Sequence, residues 1–370
     1  MNIGCVKEIK RHEYRVGMTP DCVRAYVAHG HQVVIQAGAG EGAGFDDGDY
    51  RAAGAVVEAD RGSIFSRCDM IVKVKEPQPE EYPLFRDGQI LFTYLHLAPD
   101  WDQTKALLKA GIRGVAYETI RTADGTLPCL KPMSEIAGRL AVQEGAKYLE
   151  KPFGGRGVLL GGVPGVPRGK VAVLGGGVVG LNAAKMAVGL GAEVTILDVN
   201  PGRLAYLDDI FGGRASTLYS TEGNLRRVLT ESDLVIGGVL IPGAQTPKLI
   251  RREHLKLMKK ASVIVDVAVD QGGCCETTHA TTHDDPVYTV EDVVHYAVGN
   301  MPGAVALTST LALTSTTLKY GLKIADQGLE AALGADPALL AGLNVYRGKC
   351  TYADVASAHG LAYTDPGTLL

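Results

Sequence analysis

The chain has 370 residues, 46% of them hydrophobic, and a formal net charge of −4 at pH 7. That is enough apolar material for two domains or one elaborated one, and the slight negative charge excludes nucleic acid or an anionic membrane surface as an electrostatic partner. Seven cysteines at irregular spacing, two of them adjacent at Cys274-Cys275, exclude a disulfide framework and a C-x-x-C zinc site, so no metal is expected. Most read as small buried hydrophobes. Cys274 and Cys275 follow Gly272-Gly273 in a predicted site loop and are the two to watch for oxidation. The charged start MNIGCVKEIKRHEYR has no apolar signal-like core, and a cytoplasmic protein is expected.

From residue 2 to about 118, short apolar runs alternate with helix-like stretches: Ile3 to Val6, Gln32 to Gln36, Met70 to Val74, Gln89 to Leu95 and Arg113 to Tyr117. Thr19 can cap the first helix, Pro20 suits its first turn and Gly30 closes it. Strand–helix alternation predicts a largely parallel sheet covered on both faces. The loops after these strands carry Lys7, Glu8 and Arg15, then Lys73, Lys75 and Glu76, then His96. In open α/β sheets, ligands bind outside the carboxyl ends of strands. Next, Pro132-Met133-Ser134 followed by EIAGRLAVQEGAKYLE predicts a helix of some four turns capped by Ser134. Gly154 to Gly169 reads as a loop or arm.

The stretch KVAVLGGGVVGLNAAKMAVGLGAEVTILD, Lys170 to Asp198, carries the strongest signal. An apolar strand stops at three glycines, and Gly175, Gly177 and Gly180 stand in G-x-G-x-x-G spacing before a helix of small residues. Each glycine answers a separate demand, namely the tight turn, the backbone's approach to a pyrophosphate, and close helix–strand packing. The helix N-terminus then faces the phosphates. A second strand ends at Asp198, 18 residues beyond Gly180, where a carboxylate hydrogen-bonds the ribose 2′-hydroxyl and repels a 2′-phosphate. NAD is therefore the expected cofactor, with Arg203 leaving NADP as a minority reading. A transmembrane segment is excluded here by Lys185, Glu193 and the many glycines. Further strands are predicted at Ala215 to Tyr219, Leu234 to Ile236 and Ser262 to Val267. A long apolar helix follows from Gly303 to about Gln327 and crosses back to the first domain.

The predicted fold class is α/β, with two doubly wound domains. One is a Rossmann NAD-binding domain at 131–303, and the other is an α/β substrate domain formed by both chain ends, 1–130 plus 304–370. The first domain offers groups suited to redox chemistry on a small acid. Arg15 can hold a carboxylate bidentately, Lys75 can pair with a carboxylate or carbonyl oxygen, and His96 moves protons near neutral pH. Asp270 closes SVIVDVAVDQGG at a strand's carboxyl end and is the better site candidate, whereas Asp266 within the strand suits a local hydrogen-bonding role.

Seven collinear segments, KEIKRHEYRVGMTP, KVKEPQPEEY, LFTYLHLA, PMSEIAGRLA, LGGGVVGLNAAKMAVGLGA, VIVDVAVDQGG and HYAVGNMPGAV, resemble the alanine dehydrogenase family essentially from end to end. The resemblance implies reversible oxidative deamination of L-alanine with NAD, giving pyruvate, ammonium and NADH. Carried over position by position, it implies that Arg15 and Lys75 bind substrate and that His96 and Asp270 are the acid–base groups. It further implies that Ser134, Gly175, Gly177, Val178, Val179, Gly180, Asp198, Arg203, Ser220, Val239, Leu240, Val267 to Asp270 and Val298 to Met301, with Asn300, line the cofactor or reacting centre. Such proteins are usually homohexamers, and a closing inter-domain cleft would exclude water. Departures from the family pattern fall at Cys129, Lys131, His279 and Ala306-Leu307, where they bear on substrate breadth, cofactor affinity or assembly rather than reaction type. Two other readings remain at this point: a transhydrogenase-like module and a non-catalytic NAD-binding protein.

Overall fold

The computed structural model describes residues 1–239 and 246–370. In chain order the strands are β1 (Asn2–Cys5), β2 (Gln32–Gln36), β3 (Val56–Glu58), β4 (Met70–Val72), β5 (Ile90–Thr93), β6 (Arg113–Ala116), β7 (Lys170–Leu174), β8 (Glu193–Asp198), β9 (Ala215–Tyr219), β10 (Leu234–Gly237), β11 (Val263–Asp266), β12 (Val287–Val290), β13 (Val293–Tyr296), β14 (Leu343–Tyr346) and β15 (Lys349–Cys350). They belong to two compact units, Met1–Met133 with Gly303–Leu370 and Ser134–Pro302.

The first unit holds an eight-stranded sheet in the order β15-β14-β6-β5-β4-β1-β2-β3. Strands β1 to β6 run parallel, and β14 and β15 add antiparallel pairings at one edge. Every residue of β4 and β5 is buried, as expected of strands with helices on both faces. Helix Pro20–Ala28 starts with the Thr19 hydroxyl accepting the Cys22 N–H at 3.2 Å. The long helix Ala306–Gln327 buries Thr314 and Thr317 on its inner face. Their hydroxyls donate to the carbonyls of Thr310 (2.8 Å) and Leu313 (3.2 Å), so a buried polar face leaves no orphaned hydroxyl there.

The second unit holds a seven-stranded sheet in the order β12-β13-β11-β10-β7-β8-β9, parallel except for β12. Its core gathers Ala172, Leu174, Leu197, Leu229, Val235 and Ile264. Gly138 brings helix Lys131–Tyr148 onto helix Val178–Gly189: a Cβ there would lie 3.0 Å from the Val179 carbonyl carbon and 3.1 Å from the Ala183 nitrogen. That helix begins at Lys131, so Ser134 lies inside its first turn and is not its cap. The preceding turn feeds directly into it, with the N–H groups of Lys131 and Met133 donating to the carbonyls of Leu127 (2.9 Å) and Leu130 (3.1 Å).

Both sheets change direction of strand order at their first strand, between β1 and β4 in one unit and between β7 and β10 in the other. Such switch points leave a crevice outside the carboxyl ends of the strands. Among the described residues, no helix is long and apolar enough to cross a membrane.

Candidate active site

At the switch point of the second unit, the three glycines differ in what surrounds them. Gly175 has φ +91°, left-handed backbone that favours glycine, and a Cβ there would lie 2.9 Å from Val239 and 3.2 Å from Gly238. Gly180 packs so closely that a Cβ would collide with the Gly175 carbonyl and lie 3.1 Å from Val173 Cγ1. Gly177, at the N-terminus of helix Val178–Gly189, has nothing within 4 Å of such a Cβ. Among the described residues no side chain is seen to cap this helix, so its first N–H groups and its dipole are left to face a ligand beside Gly177.

Asp198 ends β8 with its carboxylate pinned: Oδ2 accepts the Gly176 N–H at 2.6 Å and Oδ1 the Asn200 N–H at 2.8 Å. Arg203 reaches back from the next helix to donate to the Gly176 carbonyl and, at 3.3 Å, to the Gly177 carbonyl, and its guanidinium lies over the Tyr206 ring. Ser220 follows β9 and donates its N–H to the Asp198 carbonyl at 3.0 Å. Val239 flanks Gly175, and the Val267 N–H donates to the Gly237 carbonyl at 3.0 Å. The uncapped helix end could hold a pyrophosphate, and the acid at the tip of β8 could hold a ribose diol. Val178 and Val179 open the helix. Val298 and Met301 are buried, and Asn300 adopts a left-handed φ of +61°. Leu240 lies outside the described residues.

Asp270 is exposed on the short turn Val269–Gln271, with its Oδ1 facing Gly299. Asp266 is buried and spends its oxygens locally, accepting N–H groups of Ala268 (3.2 Å), Cys274 (3.2 Å) and Cys275 (3.1 Å). It holds the loop that carries Asp270. The suspicion of oxidation at Cys274 and Cys275 is corrected by this packing: both are fully buried, and burial foremost pushes both thiols above their ordinary range. A thiol kept protonated and out of solvent is inert. His279, one of the departing positions, stacks on Tyr288 at 3.8 Å between ring centroids.

In the first unit, Arg15, Lys75 and His96 follow β1, β4 and β5, three neighbouring parallel strands around the switch point. Arg15 is 2% exposed and held along one edge by Glu13, Nε to Oε1 at 2.7 Å and Nη2 to Oε2 at 2.6 Å, while Nη1 meets Met133 Sδ at 3.0 Å. Burial alone would depress its pKa, but the Glu13 hydrogen bonds and charge outweigh it and keep the guanidinium charged. The Nε and Nη2 edge of the guanidinium is thus taken by Glu13.

Lys75 is half-buried, and its ammonium is destabilised first by burial and then by the charges of Arg15 and Lys10, with Glu76 opposing, so its pKa lies below the ordinary lysine value. Its backbone is fixed by Glu8, whose Oε1 accepts the N–H groups of Val74 (2.7 Å) and Lys75 (3.2 Å). The same carboxylate pairs through Oε2 with Lys73, which is wholly buried between Glu8 (3.0 Å) and Glu81 (3.1 Å). Lys10 pairs with Glu76. His96 has a left-handed φ of +46°, and its ring stacks on Tyr94 with centroids 5.7 Å apart. Glu13, Glu81 and Glu118 act in this region without having been singled out in the sequence. Only Glu118 carries a signal, an acid embedded in the otherwise apolar run AYETI, whereas Glu13 and Glu81 lie among other polar residues.

Comparison with known proteins agrees with this geometry. The family described as alanine dehydrogenase/PNT, N-terminal domain, matches residues 4–137, and its C-terminal domain matches residues 141–353. The chain belongs to the alanine dehydrogenase/PNT family. A relative in this family, named alanine dehydrogenase in Methanococcus maripaludis, is 57% identical over 98% of both chains. A solved structure named L-alanine dehydrogenase superposes with a TM-score of 0.95 at 53% identity, covering 97% of this chain and 99% of that one. A transhydrogenase structure from Sinorhizobium meliloti gives 0.82 at 26% identity, covering 95% of this chain and 99% of that one. The alanine dehydrogenase/PNT fold, with its two doubly wound sheets, is therefore the fold of this chain.

Proposed function

We propose that this chain is an L-alanine dehydrogenase, catalysing reversible NAD-dependent oxidative deamination of L-alanine to pyruvate and ammonium. The observation that carries the reading is the placement of Arg15, Lys75 and His96 after three adjacent strands at one switch point, in a chain whose other unit opens a helix on a glycine turn at its own switch point. Ser134, Gly175, Gly177, Val178, Val179, Gly180, Asp198, Arg203, Ser220, Val239, Leu240, Val267, Val298, Asn300 and Met301 are the residues proposed to hold NAD. What NAD supplies when bound is a two-electron acceptor for the Cα hydride.

The protein's own groups do the rest. Arg15, braced by Glu13, binds the alanine carboxylate, and the Lys75 ammonium adds a second positive charge. Loss of the Cα hydride and an amine proton leaves an imine. His96 takes a proton from water as that water attacks the imine carbon. Asp270 assists the proton movements that follow, and collapse of the tetrahedral adduct expels ammonia, which leaves as ammonium, and gives pyruvate. Positioned acid–base groups of this kind contribute typically a hundred- to ten-thousandfold in rate. A homo-oligomer, the homohexamer of the family resemblance, would cover the exposed apolar side chains of the arm at Leu159, Val163 and Val166, and a cytoplasmic location is proposed beside it.

The test is NADH absorbance on mixing protein, NAD and L-alanine at mildly alkaline pH, with L-serine, D-alanine and NADP in parallel. NADH formed selectively with L-alanine and NAD is the expected result. NAD binding with no turnover of any amino acid overturns the assignment in favour of a transhydrogenase-like or non-catalytic protein.

A further inference from the structure

We infer that Glu118 is a positioning residue for His96, setting the imidazole by clamping the backbone beneath it. This deepens the functional reading and rests on it. Glu118 lies on the short turn Tyr117–Thr119 directly after β6, the parallel neighbour of β5. From there its Oε1 accepts the His96 N–H at 2.7 Å and the Leu95 N–H at 3.2 Å, and its Oε2 lies 3.3 Å from the Leu95 nitrogen. Two consecutive N–H groups thus converge on one carboxylate, an anion-holding arrangement that includes a left-handed residue.

The clamp has something to oppose. A histidine at φ +46° is in sparsely populated backbone, and such conformations persist only where the surroundings over-determine them. Released from Glu118, residues 95 and 96 would relax toward ordinary extended backbone and swing the imidazole away.

The surroundings of Glu118 are themselves fixed. The Thr119 hydroxyl, buried beside it, receives the Asn344 Nδ2 at 2.7 Å, tying the turn to β14. On the other side of the clamped segment, Gln103 Nε2 donates to the Leu95 carbonyl at 2.8 Å. Tyr94 supports one face of the imidazole, with ring planes 10° apart, and its own hydroxyl donates to the Cys129 carbonyl at 2.6 Å. Glu118 Oε1 stands 3.9 Å from His96 Nδ1, beyond hydrogen-bond length. Its hydrogen bonds are therefore to the main chain of His96 and Leu95 and not to the ring.

The experiment is a double-mutant cycle on the full chain, with kcat, alanine KM, NAD affinity and Tm measured for wild type, Glu118→Ala, His96→Ala and the double variant. Glu118→Ala is expected to lower kcat about tenfold to a hundredfold, the scale of a misplaced catalytic group, while alanine KM and NAD affinity stay within about twofold because their binding groups are untouched. In the His96→Ala background the same change is expected to leave kcat within about threefold, since the group it positions is gone. Glu118→Gln keeps an acceptor oxygen and is expected to restore most of the rate.

An equal loss with and without His96, or no loss from Glu118→Ala in wild type, overturns the inference. Should Glu118→Ala not fold, Glu118→Asp, whose carboxylate falls one methylene short of both amides, takes its place in the cycle and is judged the same way. Wild-type protein that binds NAD but oxidises no alanine overturns the functional reading itself, an outcome separate from either of these.

Discussion

Gly177 and Gly180 lie three residues apart in one turn, yet substitution of each by alanine is expected to fail in a different assay. At Gly180 the added methyl would collide with the Gly175 carbonyl oxygen and stand 3.0 Å from its carbon and 3.1 Å from Val173 Cγ1. Two of these neighbours are backbone and cannot yield as a flexible side chain would, so helix Val178–Gly189 must lift from β7. Overpacking of this kind costs about 1–3 kcal/mol, with more where backbone must move. At about 2–4 °C per kcal/mol for a unit of this size, Tm should fall by roughly 2–12 °C. At Gly177 the methyl meets nothing within 4 Å, and the residue's φ of −64° suits alanine. Tm should therefore stay within about 2 °C of wild type, the scale of a change under 1 kcal/mol. The same methyl would occupy the space in front of the uncapped helix end. Loss of one charge-assisted hydrogen bond to a pyrophosphate, about 1.5–3 kcal/mol, weakens NAD binding roughly tenfold to a hundredfold. Thermal unfolding without ligand and NAD titration by calorimetry read the two effects separately. A Gly177→Ala protein that melts as early as Gly180→Ala while binding NAD normally would refute the division of labour.

Four more outcomes follow from the site and its cysteines. Lys75 loses its proton below the ordinary lysine value because burial, then Arg15 and Lys10, disfavour its charge. Pyruvate affinity should therefore fall as pH rises through that lowered value, and the fall should vanish in Lys75→Arg, which stays charged. Between the lowered value and about 10.4 the unfolded chain binds the extra proton, so this lysine's contribution to stability rises with pH across that window and should be missing in Lys75→Met. Lys73→Met would leave Glu8 and Glu81 buried without their shared cation. A loss of about 3–5 kcal/mol in urea unfolding at pH 7 is expected, and an unchanged midpoint would show that the triad contributes nothing. Cys274 and Cys275 should resist a thiol reagent in the native protein and react only on unfolding, and rapid native labelling would contradict their burial.

Local chemistry was the most legible part of the sequence. β2 and β9 run over the residues predicted for them, because short β-branched runs bounded by glycine or polar residues signal strands directly. The three-residue β3 escaped notice: it is an edge strand whose Val56 is exposed, so it lacks the apolar run that marks its buried neighbours. β12, β14 and β15 escaped for a related reason, since short antiparallel pairings depend on a partner strand rather than on a pattern of their own, and the buried four-residue β13 is too short to stand out as an apolar run. The helix expected to start at Ser134 starts at Lys131 because hydrogen bonds from the preceding turn satisfy its first amides. No N-cap side chain is needed for that.

The sequence by itself determined the strand–glycine turn–helix and the acid that ends the next strand, since glycine spacing, the flanking strand and Asp198 are close in the chain and each answers a local steric or electrostatic demand. It also assigned Asp266 a local hydrogen-bonding role, which its bonds from the Ala268, Cys274 and Cys275 amides match. Only the tertiary structure decided which charges brace which. Glu13 lies beside Arg15 in the chain, but Glu8 reaches Lys73 and the Lys75 amide from 65 and 67 residues away, and Glu118 reaches the His96 amide from 22. These contacts join the ends of neighbouring parallel strands. Strand order in a sheet is set by how the whole set of apolar faces packs, and no spacing along the chain records it.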